Sequence, residues 1–176
     1  VLEKLGSMYF VRGVLRIENM RLPQQQARLR PVLEMPKFQH GCLDITGIGL
    51  GLCEYAQDEF GEYRIEGINF ASPVATTDRI KLEGRTAPPV RGTEAMATQL
   101  LQVYEDKAIR HPIDPTMRED LRKPERIVSP GGRVSIAAER DGAGHADHFW
   151  AMALAVEAAG GKGGPFAYQA TRLPNR

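Results

Sequence analysis

The sequence predicts a mixed α/β fold, one sheet with helices on its faces, and three observations predict it. Short segments rich in β-branched and aromatic residues alternate with helical periodicities through the first two thirds of the chain. A hairpin signal, Pro130-Gly131-Gly132, separates two further strand-like segments. A long apolar helix pattern follows from His145. At 176 residues the chain can bury a core without disulfides or metal staples.

Met8–Arg16 reads as the first strand. Pro23 opens a helix over 24–34, with Leu29 and Leu33 four apart and Pro36 ending it. Cys42–Ile45 is a short apolar strand closed by Thr46-Gly47, and 50–60 turns helical, with Gly61 as its stop. Arg64–Phe70 alternates as a strand. Residues 71–92 break every periodicity and read as a long exposed loop, a length that is usually functional or mobile. Thr93 is placed to cap a helix to about Asp106, followed by a short strand, 108–110. Asp114-Pro115 carries the N-cap and first-turn chemistry of another helix. Strands over 126–129 and 133–137 then precede the last helix, 145–159. The expected domain is 1–159, with a Gly-rich flexible tail over 160–176.

The formal charge is +1. Nucleic-acid contact must therefore come from local patches rather than a uniform basic coat. The stretch 107–140 holds eight Lys/Arg against five acids, a net of +3, and Arg133 and Arg140 beside the late hairpin strand are the preferred backbone contacts. Usually such a mixture is only a solvated face. Two cysteines, Cys42 and Cys53, are too few for a disulfide framework and read as core residues of a reducing compartment. The longest apolar run, Phe149–Val156, is far short of the ~20 residues a membrane helix needs. No signal peptide is visible, and a first residue of Val rather than Met suggests a fragment.

Asp44 ends an apolar strand just before Gly47-Ile48-Gly49. A carboxylate there faces the crevice at the downstream edge of an α/β sheet, although Asp also caps turns in that position. Asp147 opens the last helix, where the helix dipole favours an acid with or without a function. The apolar helix behind it must dock on the sheet, which holds Asp147 near the core. The glycine run 47–51 with Glu66 beyond it imitates a dinucleotide fingerprint. Leu52 occupies the third small position, however, and Asp44 would repel a pyrophosphate. There is no phosphate-cradling Gly-x-x-x-x-Gly-Lys-Ser/Thr. His145 and His148 lie three apart without a further zinc ligand, so His145 is read as a supporting hydrogen-bond partner.

At Cys42-Leu43-Asp44-Ile45-Thr46-Gly47-Ile48-Gly49, Ile109-Arg110-His111-Pro112-Ile113-Asp114 and Gly144-His145-Ala146-Asp147-His148-Phe149-Trp150-Ala151, the chain resembles the C-terminal nuclease domain of phage (and prophage) large terminase subunits of the Mu-like type. The likeness runs from residue 1 to about 159. It implies an RNase H-like mixed sheet flanked by helices, and a two-metal endodeoxyribonuclease that cuts concatemeric double-stranded DNA during packaging. It further implies Mg²⁺ or Mn²⁺ as two bound ions, and as partners an upstream ATPase domain, the portal and the small terminase subunit, in the cytoplasm of a bacterial host. Asp44 matches the second acid of the family's cluster and Asp147 the third. The first lies on a strand ahead of the segment that Val1–Gly6 resembles, so that strand is expected to be largely missing and the chain weak or inactive. The competing expectations are a non-catalytic module that docks on DNA or portal, and another RNase H-like nuclease such as a junction resolvase.

Overall fold

The computed structural model describes residues 1–70, 92–128, 134–138 and 146–160. The expected loop over 71–92 lies outside them except for Gly92, as does the tail beyond Gly160. The strands are β1 (Leu2–Leu5), β2 (Met8–Val11), β3 (Gly41–Asp44), β4 (Ile65–Ile68), β5 (Ile109–Arg110), β6 (Pro124–Val128) and β7 (Val134–Ala138). The helices are α1 (Leu22–Leu33), α2 (Gly49–Phe60), α3 (Gly92–Glu105), α4 (Pro115–Asp120) and α5 (Asp147–Gly160). The alternating architecture is as expected, and element ends differ by a few residues. Two differences are larger. The first expected strand stops at Val11, and Leu2–Leu5 forms an additional strand paired antiparallel with it across a two-residue turn. Gly6 supplies that turn with φ +60°, a left-handed backbone that glycine adopts without steric cost. Thr93 falls inside α3 rather than at its cap.

Strand pairing divides the described residues into β1-β2-β5, with β2 parallel to β5, parallel β3-β4, and the antiparallel hairpin β6-β7. β1 uses one edge for β2 and β3 uses one edge for β4, and neither bonds a strand on its other edge among the described residues. Helix α5 lies across both of these strands and against α3 and α4. The Lys4 Nζ at the end of β1 reaches the carbonyl of Ala159, at 3.5 Å.

Two apolar clusters clothe β3 and β4. Leu43 and Ile45 of the β3 segment pack with Leu33, Cys53, Ala56 and Ile65 beneath α1 and α2. Cys42 and Ile68 pack on the other side, against a core built from α3, α4 and α5 that includes Leu100, Met117, Met152, Ala153 and Val156. Side chains alternate across a strand. Asp44, in step with Cys42, therefore belongs to the α5 face.

Candidate metal-binding active site

Asp44 is the last residue of β3 and half-buried. Its Oδ1 accepts the backbone N–H of Thr46 at 2.8 Å, which folds the chain sharply at the strand end. Gly47 completes that fold with φ +65°. At Gly49 a Cβ would run into the carbonyl oxygen of Asp44, so the start of α2 can sit against the acid only as glycine. The glycine run thus serves a turn and a close approach, which accounts for it without a cofactor. Thr46 in turn accepts the N–H of Phe70 on its hydroxyl, at 3.2 Å. The Phe70 ring lies 5.2 Å from that of Trp150, in the first turn of α5. Through Thr46, Phe70 and Trp150 the downstream ends of β3 and β4 are linked to the turn that carries Asp147. Glu157, three turns further along α5, lies near enough to Cys42 to act on its thiol. The helix therefore runs back over β3, its first turn toward the Asp44 end.

Asp147 itself is exposed, so the expectation that docking would hold it against the core is corrected. The residue before it takes the buried position. Ala146 is fully buried and has φ +58°, a backbone rarely taken by a residue with a Cβ. Its carbonyl accepts the N–H of Trp150, starting the helix, and the strained bend throws the following acid outward. Asp147 has no hydrogen-bond partner among the described residues, whereas Asp44 keeps an oxygen beyond its contact with Thr46. Two hard carboxylates on neighbouring elements, one half-buried and one open, suit a hydrated Mg²⁺ or Mn²⁺ better than a softer ion. His145, Arg133 and Arg140 lie outside the described residues.

One constellation escaped the sequence reading. Asp120, at the end of α4, is buried, with 6% exposure. Its Oδ2 accepts both Nδ1–H of His148 at 2.6 Å and the His148 backbone N–H at 3.3 Å, while Oδ1 pairs with Lys123 at 2.9 Å. Because Arg16 Nε donates to His148 Nε2 at 3.1 Å, that nitrogen is an acceptor and the ring proton sits on Nδ1. Arg16 also pairs with Asp114 at 2.6 Å, and Asp114 caps α4 through the N–H of Met117 at 3.1 Å, as expected. Burial alone would raise the Asp120 carboxyl, but the hydrogen bonds from His148 and Lys123 outweigh it and hold it below its ordinary value. Hydrogen bonding to Met117 and Arg16 lowers Asp114 as well. The result is a clamp: Asp120 caps α5 from a neighbouring helix, beside Asp147. No local pattern announces it, since Asp120 and His148 are 28 residues apart.

The model of the terminase RNaseH-like domain family matches residues 1–159. The chain belongs to that family. Neither the curated proteins nor the solved structures gave a match. The terminase domain is of the nuclease type and its fold is RNase H-like, as the sequence motifs implied. Domains of this kind generally use divalent metals, and membership implies a DNA substrate and packaging partners. No helix among the described residues is long and apolar enough to cross a membrane.

Proposed function

We propose that this terminase domain is the metal-dependent endonuclease of a phage packaging machine, cutting concatemeric double-stranded DNA, with Asp44 and Asp147 as its metal ligands. The observation that carries the reading is their placement at one end of the fold. Asp44 ends a strand on the α5 face and Asp147 opens α5 at that same end, connected through Thr46, Phe70 and Trp150. Two divalent ions, Mg²⁺ or Mn²⁺, would activate a water and stabilise the leaving oxygen of the phosphodiester. The chain's own part is to hold the two carboxylates in place. The Asp44 turn and the Asp120–His148 clamp fix the elements that bear them. Arg133, Arg140 and His145 are proposed to contact the DNA backbone and support the site, and the 71–92 segment to border the groove. The upstream ATPase, portal and small subunit are proposed partners.

Two carboxylates offset the charge of two divalent ions poorly, so this chain alone is proposed to bind metal weakly and cut slowly. The sheet supports a specific completion. A helix with its side chains is ~10–12 Å across, about two strand spacings of ~4.8 Å. β1 and β3 both lie under α5 and are not bonded to each other, which fits one strand between them. A strand seated there would end beside Asp44 and could bring the third carboxylate.

The test is plasmid nicking with Mn²⁺ by the chain extended upstream by one strand. Metal-dependent cutting is expected, reduced about 100-fold or more by Asp44→Asn or by Asp147→Asn. No cutting by the folded, extended protein sinks the nuclease reading and favours a docking module.

A further inference from the structure

We infer that His40, Cys42 and Glu66 form a second metal site, of transition-metal rather than magnesium chemistry, at the upstream end of β3. Their ligand atoms (one imidazole nitrogen, one sulfur and one carboxylate oxygen) all lie within 4.8 Å of one another. The arrangement follows from the sheet. His40 immediately precedes β3, two residues before Cys42, and the register sets Glu66 directly beside Cys42. His40 Nε2 already stands 3.4 Å from Glu66 Oε2.

Zinc bonds of about 2.0–2.3 Å in a tetrahedron separate neighbouring ligand atoms by roughly 3.3–3.8 Å. The His40–Glu66 pair is already at that spacing, at 3.4 Å, and the Cys42 sulfur is within 4.8 Å of both. The His40 side chain is largely covered, at 12% exposure, and the Glu66 side chain is half open, at 50%, leaving an entry path and room for water.

Sulfur and imidazole select Zn²⁺ over Mg²⁺, whereas the oxygen donors of Asp44 and Asp147 do the reverse. The two sites therefore differ in chemistry, and the inference is independent of the nuclease reading. On binding, the Cys42 thiol proton passes to solvent and the ion ties β3 to β4 just upstream of Asp44.

The experiment is a titration of the chain with Co²⁺, followed by absorption. One equivalent is expected to bind with a thiolate-to-cobalt charge-transfer band, displaced by Zn²⁺ and indifferent to excess Mg²⁺. Cys42→Ser should abolish the band, while Cys53→Ala and Asp44→Asn retain it. Glu66→Gln, at a partly open position with little bearing on folding, should weaken binding about tenfold or more. Absence of the band, its persistence in Cys42→Ser, or unchanged affinity in Glu66→Gln overturns the site. A plain His40–Glu66 ion pair gives the first and third of these results.

Discussion

Two acidic regions meet near the first turn of α5, and they treat their carboxylates in opposite ways. Asp120 is buried and receives hydrogen bonds from Lys123 and from both the ring and the backbone of His148. Asp44 and Asp147 sit at the open end of the sheet, the first with a single backbone contact and the second exposed. A fully satisfied buried carboxylate stabilises a fold and has little capacity left for a ligand. An acid with free oxygens adds little stability but can accept a cation. The contrast separates a structural carboxylate from candidate functional ones more sharply than residue type does, since all three are Asp.

The strongest way to break the comparison is to remove the clamp. Asp120→Ala removes the buried carboxylate that holds the ring and backbone N–H of His148 and is expected to cost about 3–5 kcal/mol, read as a lower midpoint in urea unfolding. A loss under about 1 kcal/mol would remove Asp120 from its structural role. The same group predicts a pH dependence. Its folded value lies below its unfolded one, so its stabilisation is present above the ordinary Asp value of about 3.9 and is lost as the pH falls through the folded value. Stability measured from pH 5 down to 3 should therefore fall more steeply for the wild-type chain than for Asp120→Asn. Parallel curves would contradict the assignment.

Ala146 sharpens the comparison at intermediate size. Valine in its place combines a β-branched side chain with φ +58° in a fully buried position and is expected to cost about 2–3 kcal/mol. Glycine relieves the backbone but forfeits a methyl, so Ala146→Gly should stay within about 1 kcal/mol of wild type. If thermal melts rank the two variants the other way, the left-handed bend is not what starts α5. The smallest effects are expected at the open acids. Asp147→Asn and Asp44→Asn should each shift stability by about 0.5 kcal/mol or less. A larger loss at either would mean that it is structural, as the alternative of a capped turn or a favoured helix end always allowed.

Much of this was legible locally. The Asp114-Pro115 start of α4, the Gly61 stop of α2 and the position of Asp44 at a strand end follow from residue preferences that act over a few residues, and the structure has all three. The early strand Leu2–Leu5 was not legible, because four residues followed by Gly6-Ser7 carry too little periodicity to register without their partner β2. The exposure of Asp147 was missed for a related reason. An apolar helix signals docking, but which residue of its first turn points inward depends on the bend at Ala146.

The sequence by itself determined the element types, the two acids at element ends and the family motifs, since each depends on short-range sterics, capping or residue identity at fixed spacing. Only the tertiary structure decided which groups meet. Arg16, Asp114, Asp120 and His148 come together across as many as 132 residues of chain. The edges of β1 and β3 that bond no other strand among the described residues come under one helix, and Cys42 finds Glu66 through strand register. These contacts arise from burying the apolar faces of α5 and the sheet against each other. That burial is non-directional and leaves no local pattern showing which polar groups it will bring together.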